Sequence, residues 1–99
     1  MAELTGKQRR YLRGLANQIP ATVYAGKEGI TDSVVRSLEE AYRTRELVKV
    51  RLEKNCPMER GEAASELAVR TGSHLVQVLG RTVLLYRADP EQPRLELPD

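Results

Sequence analysis

The residues best suited to hold a ligand are Gly26-Lys27-Glu28-Gly29, which follow the short run Thr22-Val23-Tyr24 and precede a helix start at Thr31-Asp32. The order strand, GxxG loop, helix carries a chemistry. Glycine accepts positive φ and leaves no Cβ in the way of an approaching group. The helix that follows points unpaired N–H groups and the positive end of its dipole back at the loop. An anion such as a phosphate suits that junction, and Lys27 adds a mobile positive charge at its tip. The same glycines also fit a plain strand-to-helix turn that needs them for geometry alone. Asp32 favours the helix N-terminus but competes there with any phosphate.

A second group of candidates lies upstream. Lys7, Arg9, Arg10 and Arg13 place four cations within seven residues. Spacings of three and four put Lys7 and Arg10 on one stripe of a helix, with Gly14 and Asn17. Like charges so close repel one another, and a polyanionic partner would relieve the repulsion; a solvated basic face is the alternative. Lys49 and Arg51 extend the basic surface if their side of a strand is open. The net charge of +2 conceals an asymmetry: residues 1–54 hold eleven Lys/Arg against seven Asp/Glu, a net +4, whereas residues 88–99 hold one against four, a net −3. Basic charge is therefore gathered in the half that contains the glycine loop, the electrostatic footprint of a nucleic-acid binder.

Parts for catalysis are missing from the pattern. His74 and Cys56 are the single residues of their types, so no internal disulfide and no cysteine-based zinc site can form. No Ser–His–acid set, metal spacing or nucleotide fingerprint is present. The expectation is a non-enzyme without catalytic residues, metal, cofactor or small-molecule substrate. No apolar run approaches the roughly 18 residues of a membrane span and no signal-peptide core opens the chain, which reads as cytosolic.

These residues must be positioned by a small set of elements. Leu4 to Ile19 reads as an amphipathic helix capped by Thr5, with Leu4, Tyr11, Leu12, Leu15, Ala16 and Ile19 inward. Pro20 ends it. A second helix from about Asp32 to Arg45 carries the stripe Ile30, Val34, Val35, Leu38, Ala41 and Tyr42, with Glu39 and Arg43 four apart on the outside. Glu46 to Lys54 alternates as a strand: Val48, Val50 and Leu52 face a core, and Leu47, Lys49, Arg51 and Glu53 face a partly wet side. Pro57 starts a third helix, Met58 to Thr71, which Gly72 stops. His74–Leu79, Gly80-Arg81 and Thr82–Arg87 form a hairpin with a two-residue turn. The tail from Ala88 holds three prolines and four acids against one arginine; it reads as extended or mobile, with Leu95 and Leu97 free to dock on the sheet. The order α-β-α-β-α-β-β makes a single-domain α/β fold, a four-stranded mixed sheet with packed helices.

The blocks Leu4–Ala16, Gly26–Gly29, Glu46–Val50, Val76–Gly80 and Leu84–Arg87 resemble, in order, the YhbY-type CRM (chloroplast RNA splicing and ribosome maturation) domain, over about residues 4–87. The resemblance implies an RNA-binding domain over residues 1–87 followed by an acidic, proline-rich tail, 88–99. It also implies a fold similar to the C-terminal domain of a bacterial translation initiation factor. It likens the Gly26-Lys27-Glu28-Gly29 loop to that of KH domains and assigns Lys7, Arg9, Arg10 and Arg13 to the family's basic surface. The function it implies is contact with structured rRNA in assembly of the large ribosomal subunit, by a monomer without membrane contact. The rival is a ribosome-associated module that docks its basic helix on an acidic protein. With Tyr11 and Tyr42 on core stripes, affinity is expected from phosphate contacts and shape, and base stacking is expected to be minor.

Overall fold

The computed structural model describes residues 3–99. The elements are α1 (Gly6–Ala16), β1 (Val23–Ala25), α2 (Asp32–Tyr42), β2 (Leu47–Leu52), α3 (Arg60–Thr71), β3 (His74–Leu79) and β4 (Thr82–Tyr86). The order is the expected one, and the chain forms a single α/β domain around a four-stranded mixed sheet. Strands run β1-β2-β4-β3, with β1 parallel to β2 and β4 antiparallel to both its neighbours. The second strand of the hairpin, rather than the first, fills the place beside β2.

Alternation along β2 divides the core in two. Val48, Val50 and Leu52 join Val23, Ala25, Val83 and Leu85 under Val34, Leu38 and Tyr42 of α2 and Ala63, Ala64 and Leu67 of α3. On the opposite face Leu47, Val76, Leu84 and Tyr86 are covered by Leu12 and Ala16 of α1. That face is drier than its charged residues suggested, because α1 presents two apolar side chains one turn apart and lies across it. A bulge in β3 between Leu75 and Gln77 resets the pairing so that Val78 opposes Val83 and Leu79 opposes Thr82. A one-residue slip of this kind exchanges the two faces of a strand for everything beyond it.

The helix ends have local causes. Thr5 and Gln8 form a reciprocal cap on α1, each side chain accepting from the other's backbone N–H at 3.1 and 3.0 Å. α1 stops at Ala16 rather than Ile19, and Ile19 packs against the second core from the connection. Glu59 caps α3, so that helix begins two residues later than Pro57 suggested. Gly72 closes it in the left-handed conformation, φ +64°. Glu39 does not pair with Arg43. Arg43 lies 3.4 Å from Glu40, and Glu39 is taken instead by Arg87 at 2.8 Å. The Arg87 guanidinium sits 4.3 Å over the ring of Tyr42, whose hydroxyl burial pushes up to about 12.

The tail forms no helix or strand, yet it is tied down. Glu46, 2% exposed, accepts the backbone N–H groups of Asp89 at 2.6 Å and of Arg94 and Leu95 at 2.7 Å. Leu95 and Leu97 pack against the second core, and the Gln8 amide donates to the Pro98 carbonyl at 3.0 Å. The docking open to the two leucines is thus observed, and Glu46 is the anchor that alternation alone did not reveal.

Candidate nucleic-acid interface

The glycine loop is a tight turn closed by the Gly29 N–H donating to the Gly26 carbonyl at 2.9 Å. Its two glycines are unequal. Gly29 is buried at φ +75°, and a Cβ added there would sit 3.3 Å from the Met58 sulfur. Gly26 keeps an ordinary φ, and an added Cβ would meet only the Asn55 side-chain oxygen at 3.8 Å. Positive φ, open to both glycines, is adopted only at the second. Gly29→Ala should therefore cost about 1–2 kcal/mol of stability from the left-handed backbone, while Gly26→Ala should stay within about 0.5 kcal/mol. Urea unfolding of the two variants tests this, and equal losses would refute it.

Lys27 and Glu28 are both exposed at the tip. Behind them Thr31 caps α2, its hydroxyl accepting the Val34 N–H at 3.2 Å. The Asp32 carboxylate, which would oppose a phosphate at this helix end, is met by the Arg70 guanidinium at 2.5 Å. Arg70 also reaches the Ile30 carbonyl and Glu66, both at 3.4 Å. The counter-charge softens the expected competition without removing it, since the pair is solvated and screened.

The α1 cations separate by role. Lys7, Arg10 and Arg13 are exposed. Arg9 is half-buried, and its guanidinium donates to the Leu75 carbonyl, tying α1 to β3. Lys49 is likewise half-buried, donating to the Ala16 carbonyl at 2.7 Å at the C-terminal end of α1, where a cation also suits the helix dipole. Both were candidates for an open basic surface; their charges are instead committed to backbone carbonyls that hold α1 on the sheet. Arg51, two residues beyond Lys49 and on the same face, is exposed. It lines a hollow of about 670 Å³ with Gly26, Lys54, Asn55, Arg81 and Glu53. Lys54 and Arg81 were not singled out from the sequence, because nothing local shows that the β2–α3 loop and the hairpin turn meet beside Gly26. The arrangement runs from α1, through Lys49 at its end, to Arg51 and the glycine loop.

Tyr11 does not belong to the core stripe. It is 39% exposed, because Leu12 and Ala16 face the sheet and Tyr11 lies a further 100° round the helix from Leu12. Tyr24 is 53% exposed, with its hydroxyl donating to the Ala21 carbonyl at 3.0 Å. His74 stacks on Tyr86 with ring centroids 6.1 Å apart. Partial burial, and then the Arg9 cation, hold its imidazole below the usual 6.5. Because the folded form binds its proton less readily, the unfolded chain takes up more protons as pH falls through about 6.5, and stability declines over that window. NMR titration of the ring should give a midpoint below 6.5 that rises in Arg9→Gln; no rise would remove Arg9 from the account.

Among the described residues, no three His, Cys, Asp or Glu side chains converge as a metal site, and no helix is long and apolar enough to cross a membrane. The mixed sheet, the helix on its second face and the GKEG turn, with Lys27 and Glu28 exposed at its tip beside basic side chains, define a small α/β domain with a basic surface at one end of its sheet. The chain belongs to the CRS1 / YhbY (CRM) domain family, which it matches over residues 4–87. It is 38% identical over 95 residues to the Bacillus subtilis (strain 168) protein named Probable RNA-binding protein YqeI, covering 96% of this chain and 99% of that one. A Haemophilus influenzae protein named RNA-binding protein is 32% identical over 99 residues, covering 99% and 98% of the two chains. The solution structure of the Staphylococcus aureus protein SAV1595 superposes with a TM-score of 0.82 at 40% identity, over 96% of this chain and 99% of that one.

Proposed function

We propose that this protein is a monomeric, cytoplasmic RNA-binding factor that contacts structured rRNA during assembly of the large ribosomal subunit. Residues 1–87 supply the contact, and the acidic tail 88–99 stays off the RNA. The observation that carries the reading is the placement of exposed Lys7, Arg10 and Arg13 on α1 and exposed Arg51 beside Gly26, with Lys49 bridging the two. The family and the names of its relatives support RNA as the partner. Phosphates would meet Lys27, Lys7, Arg10, Arg13 and Arg51, while Gly26 and Gly29 set the turn that brings Lys27 forward.

The reading fixes a salt dependence. Four or five cations on phosphates give a log–log slope of affinity against salt of roughly −3 to −4. Titration of rRNA fragments from low to high salt tests it, and a flat affinity rejects direct RNA contact. Nuclease treatment of the co-sedimenting particle separates the rival, since a factor docked on an acidic protein stays bound when the RNA is cut.

A further inference from the structure

In-register partners divide the α1 face of the sheet into three rows. Leu47, Tyr86 and His74 form the first, and Lys49, Leu84 and Gln77 the second. α1 lies over these. The third row, Tyr24–Arg51–Thr82–Leu79, crosses all four strands and stays open. Tyr24 is 53% and Leu79 68% exposed at its ends, with exposed Arg51 beside the tyrosine. The bulge in β3 is what brings Leu79 to this face: in the register before Leu75 it would point at the α2/α3 core.

Single exposed apolar residues are ordinary. Here an aromatic ring, a guanidinium and a leucine share one row, about 14 Å long at the usual strand spacing. At Arg51, next to Tyr24, the row borders the hollow where Arg51, Lys54 and Arg81 outnumber Glu53. The bond from the Tyr24 hydroxyl to the Ala21 carbonyl restrains the ring before any ligand arrives. Aromatic and guanidinium planes beside a cationic groove are the means by which proteins grip unpaired bases.

We propose that this open row takes an unpaired nucleobase of the bound RNA, stacked on the ring of Tyr24 with its phosphate in the hollow beside Arg51 and Arg81. The proposal rests on the RNA-binding reading above and deepens it, since it adds a stacking contact to a surface expected to work by charge and shape.

The test uses the full chain and two RNAs of equal length, a perfect duplex and a hairpin with a loop of uridines. Wild type should bind the hairpin about tenfold more tightly than the duplex. Tyr24→Leu should lose that margin and Tyr24→Phe keep it, with salt slope and Tm unchanged in both. If Tyr24→Leu binds the hairpin as tightly as wild type does, the stacking proposal falls and the RNA-binding reading stands. If wild type binds neither RNA at low salt, both fall. Ultraviolet crosslinking of wild type to the uridine loop is independent of any variant's folding. An adduct on the peptide holding Tyr24 supports the proposal, and adducts confined to other peptides overturn it.

Discussion

Changing Lys7, Arg10 and Lys27 together to alanine is expected to weaken RNA binding about a hundredfold at about 0.1 M salt and to reduce the log–log salt slope by about 2–3. Each phosphate contact contributes roughly 0.7–0.9 to that slope through counterion release. Three lost contacts therefore remove about two powers of ten in affinity at about one-tenth molar salt. The fold should be indifferent, because all three side chains are exposed and surface substitutions of this kind stay within about 0.5 kcal/mol. Arg9→Gln and Lys49→Met are the contrasting controls. Their side chains are spent on the Leu75 and Ala16 carbonyls, so these variants should lose stability and leave the slope nearly intact. If the triple variant bound RNA as tightly as wild type across the salt range, the α1–loop surface would not be the interface.

The contrast between those two sets of cations marks where sequence reasoning stops. That Lys7 to Arg13 lie on a helix, and that Lys27 tips a turn between β1 and α2, follows from local signals: the Thr5 cap, the two glycines and the stripe from Ile30 to Tyr42. Whether a given arginine faces solvent or a carbonyl is decided by an element remote in the chain. Arg9 meets Leu75 and Lys49 meets Ala16 across separations that no periodicity reports. The same holds for Lys54, which lies beside Gly26 because β1 pairs with β2, and for Arg81, which joins them because β4 pairs with the other edge of β2. Tyr11 and Leu79 show the phase problem. Tyr11 lies just beyond the edge of an apolar stripe, and Leu79 changes face through a bulge that a run of Val and Leu does not announce. The open row at Tyr24 was hidden for that reason: each of its members comes from a different strand.

Glu46→Ala is expected to lower stability by about 3 kcal/mol, a fall in Tm of about 12–24 °C for a domain of this size. In sequence Glu46 looks like a charge at the start of a strand. In the fold it is 2% exposed, and its two oxygens gather the N–H groups of Asp89, Arg94 and Leu95. Hydrogen bonds to a charged group contribute about 1.5–3 kcal/mol each, though three on one carboxylate do not simply add. Without the acceptor, the tail can hydrate those N–H groups only by leaving the surface, which uncovers Leu95 and Leu97 and the part of the second core they pack against. Glu46→Gln keeps the shape and one acceptor oxygen and should lose about half as much. The decisive comparison is a cycle with residues 88–99 removed. There the carboxylate has lost both its donors and the tail that covers it and is free to hydrate, so Glu46→Ala should become nearly neutral. If Glu46→Ala cost as much in the shortened chain as in the full one, the anchoring of the tail would not be what this residue does.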